Sequence, residues 1–376
     1  MKVAFINENT LGHASYLLPL VQALGTRPEL GILPHLINAT PLPARLQRWA
    51  NFSIRGLRRW GLDFHNARWR LTVSRHVRNE VQALRSRVTI ESIVVNTQSV
   101  ALGLTDIALE IPVLVCLDAT FEQLGRSRWF APNAPSRWLL PLTIAPLRAR
   151  ERRLFERAQC LLPWSEQARQ SLLYDYQISE LRTVLLPPSV ALPSRRGSIV
   201  SQPKHRPQIL FVGGDFRRKG GPLLLECYRR YFAKSCSLHI VTQADVAPEP
   251  GVYVHKGLAV QSEAWKERWE QADVFVLPST LETFGIVLLE ALAFEVPVIA
   301  AEVGAAREIL AGGQAGWLLS PCTVENLRES IKAVISNPAL AKAKTEFGRR
   351  KVEEEFNLAS HVARLAECLH KAKSKD

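Results

Sequence analysis

Two glutamates eight residues apart, Glu282 and Glu290, are the side chains whose placement most invites chemistry. They lie in the stretch 273–301, DVFVLPSTLETFGIVLLEALAFEVPVIAA. An ionised carboxylate is an acceptor only, and its two oxygens can take hydrogen bonds from adjacent hydroxyls such as those of a ribose or a hexose. A second stretch is basic and glycine-rich: Phe211-Val212-Gly213-Gly214-Asp215-Phe216-Arg217-Arg218-Lys219-Gly220-Gly221, followed by Pro222. Its glycines let backbone come close to a ligand, and Arg218 and Lys219 can neutralise a diphosphate, including one that departs during a reaction. No Asp-x-Asp pair occurs in the chain. Cationic side chains are therefore expected to carry that role, with no metal and no other cofactor. Plainer accounts stand beside these: one glutamate capping a helix and the other solvated, and glycines that only shape a turn.

Weaker candidates lie earlier. Gly12 and His13 fall in the loop after the first apolar run, close to a ligand or, for His13, serving as a capping side chain. Asp118 ends a strand in Leu117-Asp118-Ala119-Thr120. There a carboxylate could orient or deprotonate a hydroxyl, or simply make an Asx turn.

The elements that must position these residues follow from periodicity. Asp273 to Leu277 reads as a buried strand stopped by Pro278-Ser279; Thr283 is expected to cap a helix from Phe284 through Ala293, and Pro297 opens the strand Val298 to Ala301. Such a unit puts both glutamates near the carboxyl edge of a parallel sheet, where ligands bind and helix N-termini favour anions. Further strands are expected at Lys2 to Ile6, Ile90 to Asn96, Val113 to Asp118, Cys160 to Pro163, Val184 to Leu186, Gln208 to Val212, Leu238 to Thr242 and Val252 to Val254. Helices are expected at Ser15 to Leu24, Arg150 to Ala158 and from Ser165 to about Tyr176, with 126–148 an irregular basic and aromatic loop. Residues 189–207 lose periodicity and collect Pro, Ser, Arg and Gly, as a linker does. The fold class is α/β: a Rossmann-like domain over 1–190, a second over 191–355, and a C-terminal helix over 356–376.

Composition bounds the partners. A chain of 376 residues suits two domains, and a formal charge of +13 with pI near 9.7 calls for an anionic one: a nucleotide, a phospholipid surface or nucleic acid. Six cysteines without a Cys-x-x-Cys pair indicate neither a zinc site nor a disulfide framework and fit a reducing cytoplasm. The opening MKVAFI turns polar at Asn7, too short an apolar run for a signal peptide. Between 45 and 87 arginines recur around Trp49, Trp60 and Trp69, opposed only by Asp63 and Glu80. That pattern fits an anionic membrane interface, a nucleic-acid surface, or a solvated helical face with its tryptophans turned inward.

The run Pro278-Ser279-x-x-Glu282-Thr283-Phe284-Gly285-x4-Glu290-Ala291-x-Ala293-x3-Pro297-Val298-Ile299-Ala300 resembles the Glu-x7-Glu signature of retaining GT-B glycosyltransferases, the family 4 group. Ala272-Asp273-Val274-Phe275-Val276, Val303-Gly304, Glu308 and Gly316-Trp317-Leu318 are similar too, and the likeness spans about 208–356. The resemblance implies the GT-B fold, two Rossmann-like domains facing each other across a cleft, with the last helix returning to the first domain. It implies that Glu290 holds the nucleotide's ribose, that Glu282 meets the donor sugar, that the backbone of Thr283, Phe284, Gly285 and Ile286 lines the sugar and phosphate site, and that Lys219 is the diphosphate lysine. The family's Arg after Val-Gly is here Gly214, for which Arg218 or Arg217 can substitute, and Asp118 stands where many members carry a His. The expected partners are a nucleotide-sugar donor and a glycan or lipid-linked acceptor, with an anionic membrane surface as a further one and no nucleic acid. A nucleotide-sugar epimerase or a non-catalytic binding protein of the same fold is the alternative.

Overall fold

The computed structural model describes residues 1–8, 12–53, 56–57, 64–127, 129–130, 139–195 and 206–373, with side chains for all of these except 12–15. Of the arginine- and tryptophan-rich residues, Arg55, Arg58, Arg59, Trp60, Asp63, Arg128, Arg137 and Trp138 lie outside that set, as does 196–205 of the linker.

The chain divides into two compact units, one formed by Met1–Pro188 with Leu358–Asp376, the other by Ser189–Asn357. The first is built on β1 (Lys2–Asn7), β2 (Leu33–Asn38), β3 (Ser92–Asn96), β4 (Val113–Leu117) and β5 (Cys160–Pro163). These pair in parallel in the order β2-β1-β3-β4-β5. Its helices are α1 (Gly12–Gly25), α2 (Ala44–Asn51), α3 (His65–Arg85), α4 (Phe121–Arg126), α5 (Leu140–Arg157) and α6 (Glu166–Tyr174), joined by the last helix of the chain. The second unit has β6 (Gln208–Val212), β7 (Ser237–Val241), β8 (Val252–His255), β9 (Val274–Leu277), β10 (Val298–Ala301) and β11 (Trp317–Leu319), again all parallel, in the order β11-β10-β9-β6-β7-β8. Around it run α7 (Gly221–Cys227), α8 (Glu263–Gln271), α9 (Ile286–Ala293), α10 (Ala306–Ile309), α11 (Val324–Ser336) and α12 (Pro338–Glu355), after which α13 (Leu358–Lys373) returns to the first unit.

Strands buried on both faces read as unbroken apolar runs, and β3, β4, β9 and β10 are buried throughout. The edge strand β2 was not expected, because LPHLIN carries Pro34 and alternates exposure; Pro is tolerated where its missing N–H faces away from the sheet. The three-residue β11 was also not expected. Residues 184–186 form no strand: Val184 and Leu186 donate to the carbonyls of Leu161 and Pro163 at 2.9 Å each, and Pro187-Pro188 stops the pairing. The expected loop through 148 is corrected as well, since α5 begins at Leu140. Pro141 sits in its first turn, where a missing N–H costs nothing, and Leu140, Ile144, Leu147 and Leu154 bury one face. Ser165 caps α6 as expected, accepting from the Ala168 N–H.

Helix α13 is fastened into its unit by polar contacts. Buried His361 Nε2 and Tyr16 Oη are 2.8 Å apart, and Lys373 Nζ donates to Glu91 at 2.6 Å. Burial holds the His361 imidazole down at about 4, so it packs neutral against Tyr16.

Candidate functional site

In a doubly wound sheet, ligands bind beyond the carboxyl ends of the two strands between which the order reverses. In the second unit those strands are β6 and β9. The loop after β6 carries 213–220, and the loop after β9 carries Pro278 to Gly285. The two candidate stretches are therefore brought to one point by topology.

Backbone bonds lock them together. Thr280 donates both its N–H (2.9 Å) and its hydroxyl (3.0 Å) to the Arg218 carbonyl, and Arg218 Nη1 donates back to the Leu281 carbonyl at 2.8 Å. Gly220 is the hinge of this contact. Its φ is +78°, and a Cβ there would fall 1.9 Å from the Pro278 carbonyl oxygen. Gly213 leaves room for the stem of Lys219, whose Cδ would lie 2.5 Å from an added Cβ.

The result is a compact charged cluster. Lys219 Nζ donates to Glu282 Oε2 at 2.7 Å, and Arg218 Nη1 reaches Glu282 Oε1 at 3.4 Å. Arg218 Nε also pairs with Asp215 at 3.3 Å. The Glu282 side chain is only 8% exposed. Burial pushes its carboxyl up, but the Lys219 ammonium and the Arg218 guanidinium outweigh that and hold it below the usual carboxylate range. Glu290, one turn into α9, has the opposite balance. Burial raises it to about 7, with Lys219 opposing only in part.

The expected helix cap is corrected. Thr283 does not cap α9; the cap is Gly285 at φ 91°, with no side-chain bond to the helix N-terminus. Instead the Thr283 carbonyl is taken by the Ala305 N–H at 3.1 Å. The first N–H groups of α9, from Ile286 onward, thus lack a side-chain cap, as a site for an anionic group requires. Phe284 is buried and can offer only backbone. Gly214 and Arg217 stand exposed on the turn. Arg218, not Arg217, occupies the charged position beside Glu282.

Asp118, Gly12 and His13 belong to the first unit. Gly12 and His13 open α1, and their side chains lie outside the described residues. Asp118 follows β4, half-buried, and adds to the negative field around the Arg70 guanidinium together with Glu8 and Glu151. At the reversal of strand order in this unit, between β1 and β3, stands a cluster that sequence reasoning missed. Glu8 Oε2 accepts from the Thr97 hydroxyl at 2.7 Å and from the Ser99 hydroxyl at 2.9 Å. Below it, fully buried Glu151 accepts from the Phe121 N–H at 3.0 Å and from Gln98 Nε2 at 3.1 Å, and also from the Tyr176 hydroxyl. Burial raises its carboxyl to about 8 despite these donors. The signal available in sequence was only that Glu8 follows the first strand.

Among the described residues no cluster of three or more His, Cys, Asp or Glu could hold a metal ion, and no helix is long and apolar enough to cross a membrane.

Residues 251–351 match the family described as glycosyl transferases group 1. Over this segment the chain is similar to group 1 glycosyltransferases. It contains Glu282 and Glu290 and stops short of the basic turn at 213–221. Among curated proteins, the chain is 30% identical over 193 residues to alpha-maltose-1-phosphate synthase of Mycobacterium tuberculosis, covering 44% of this chain and 49% of that protein. It is likewise 30% identical over 206 residues to D-inositol 3-phosphate glycosyltransferase of Geodermatophilus obscurus, covering 48% and 46%. The chain thus spans about half the length of these relatives. Among solved structures, sucrose-phosphate synthase from Thermosynechococcus elongatus superposes with a TM-score of 0.74 at 18% identity over 100% of both chains. HepE of Anabaena, in complex with UDP-glucose, gives 0.67 at 16% identity over 99% of this chain and 100% of that one. These likenesses show the fold: the α/β fold of two Rossmann-like units found in GT-B glycosyltransferases, as the Glu-x7-Glu run led one to expect.

Proposed function

We propose that this chain is a retaining glycosyltransferase that moves a sugar from a nucleotide-sugar donor to an acceptor hydroxyl. One observation carries the reading: at the reversal point of the second sheet, Lys219 and Arg218 converge on Glu282 beside the uncapped start of α9. The group 1 match over 251–351 supports it.

In this reading the donor's diphosphate takes Lys219 and Arg218 as partners in place of Glu282. The released carboxylate then accepts from sugar hydroxyls, the backbone from Thr283 to Ile286 meets the phosphates and sugar, and Glu290 accepts from the ribose hydroxyls. When the bond from the anomeric carbon to the diphosphate oxygen breaks, the charge that grows on that oxygen is stabilised by the two cations. The same oxygen takes the acceptor hydroxyl's proton while the new glycosidic bond forms on the face the leaving group vacates. No protein nucleophile is required. In the first unit, Asp118, Glu8 and Arg70 are the side chains proposed for acceptor hydroxyls.

The acceptor is proposed to be a lipid or lipid-linked glycan on the cytoplasmic face of a membrane. Support comes from α2 and the turn after it, where Trp49 and Phe52 are more than half exposed beside Arg45 and Arg48. The Arg68 guanidinium lies 5.9 Å and 5.6 Å from their ring centres. Aromatic rings with arginines suit the headgroup layer of an anionic bilayer.

The test is incubation with a panel of nucleotide sugars and candidate acceptors, with the anomeric configuration of donor and product read by NMR. Retention supports the proposal and inversion overturns it; donor binding without any transfer favours the non-catalytic alternative. For the membrane part, salt-sensitive flotation with anionic vesicles is expected, and none would remove it.

A further inference from the structure

Arginine is the most abundant cation on α3 and α5, and most of these guanidinium groups are spoken for. Arg85 pairs with Glu110 at 2.7 Å, Arg148 with Glu122 at 3.0 Å, and Arg152 donates to the carbonyls of Asp175 and Tyr176. Arg70 is buried against the Phe121 and Phe130 rings, and Arg68 stacks on Trp49 and Phe52. Three arginines on the two helices, Arg75, Arg150 and Arg153, have no polar partner among the described residues. Two of those three, one from each helix, line the same cavity.

That cavity, of about 540 Å³, lies between α3 and α5 within the first unit. Arg78 joins Arg75 and Arg150 in its wall, with Ser74, Asn79 and Gln82, and among the described residues none in its lining is acidic. Arg78 is incompletely neutralised. Its Nη2 meets Asp106 at 3.2 Å, but Asp106 is shared with Arg157 at 3.5 Å, and Arg78 Nε is buried with no partner among the described residues. Holding three like charges around one space costs Coulomb energy that a bound anion would relieve. Guanidinium forks match the oxygens of a phosphate, and the Asn79 and Gln82 amides add neutral donors. The volume is in the range of small-molecule sites.

We propose that this cavity is a second anion site, which takes a ligand bearing a phosphate or diphosphate group. It is independent of the donor cluster, which belongs to the other unit, and does not rest on the transferase reading. A soluble phosphorylated compound and a phospholipid headgroup present the same chemistry, and the experiment separates them.

Calorimetric titration with inorganic pyrophosphate compares the wild type with Arg75→Gln/Arg150→Gln, two proteins whose donor clusters are identical, so that a difference between them reads the cavity alone. Both positions are solvent-exposed, and an unchanged melting temperature verifies that the variant folds. The expected result is a loss of pyrophosphate affinity of at least about tenfold, as removal of two charge-assisted contacts implies. In a second arm, both proteins are sedimented with phosphatidylglycerol-containing and with pure phosphatidylcholine vesicles. Loss of pyrophosphate binding alone assigns a soluble ligand; loss of binding to the anionic vesicles as well assigns a headgroup. Equal affinity of the two proteins in both arms, or no binding of the wild type to either probe, overturns the proposal.

Discussion

Lys219 Nζ lies 2.7 Å from Glu282 Oε2, although 63 positions separate the two residues in the chain. The pair is poised rather than merely stabilising, because each partner has an alternative use once a diphosphate arrives. Replacing Lys219 by Ala removes the principal counter-charge of a nearly buried carboxylate and of the departing diphosphate. Turnover of a nucleotide sugar should fall by at least about 100-fold, chiefly in kcat, as loss of a transition-state charge contact does. The folded state should lose roughly 1–3 kcal/mol in urea titration. Steady-state kinetics checks the first, and unchanged kcat would remove Lys219 from the site.

Glu290 should make donor binding pH-dependent. Its carboxyl is raised to about 7 by burial, so below that pH it is largely protonated and loses acceptor capacity. Affinity for the nucleoside diphosphate should therefore rise as pH increases through about 7. Glu290→Gln should bind roughly tenfold more weakly and flatten the profile. Titration calorimetry between pH 6 and pH 8 distinguishes this from a purely structural role, which would leave the pH profile intact.

Gly220→Ala tests the interlock of the two loops. The substitution needs a left-handed backbone and places Cβ against the Pro278 carbonyl, so the loop must move. A loss of at least about 2 kcal/mol is expected, with weaker donor binding even at temperatures where the variant is folded. Chemical denaturation and donor titration read the two effects separately.

Glu151 links the first unit's stability to pH. Its folded carboxyl, at about 8, is above its unfolded value of 4.5, so the folded state binds more protons between these limits. Stability should accordingly fall as pH rises from 4.5 to about 8. In Glu151→Gln that slope should shrink, and the variant should gain on the wild type as the medium becomes more alkaline, by an amount on the order of a few kcal/mol at most. Urea midpoints at pH 5 and pH 8.5 check the sign.

How much of this was legible in sequence depended on range. Strands β9 and β10 announced themselves because parallel strands covered on both faces must be apolar throughout, and Glu282 follows from where β9 ends. The basic turn was legible for the same reason: Gly213 comes directly after β6. The start of α5 was hidden by Pro141 and Pro146, which read as breakers until the first is seen in an opening turn. Gly285, at a φ of 91°, sets the start of the helix two residues beyond Thr283, and the Thr283 carbonyl meets the Ala305 N–H, a tertiary contact no local rule anticipates. The Glu8, Thr97 and Ser99 cluster was invisible for a similar reason. Thr97 and Ser99 lie 89 and 91 positions from Glu8 and meet it only because β1 and β3 are neighbours.

The most direct test of the account is a thermal-shift screen of the wild type and Lys219→Ala against nucleoside diphosphates and their sugars, since a ligand that binds only the folded state raises its melting temperature. At least one nucleoside diphosphate and its sugar should raise the melting temperature of the wild type, and the same ligands should raise that of Lys219→Ala markedly less. Equal shifts in the two proteins, or no shift of the wild type with any of them, would contradict the assignment of a donor site to Lys219, Glu282 and Glu290.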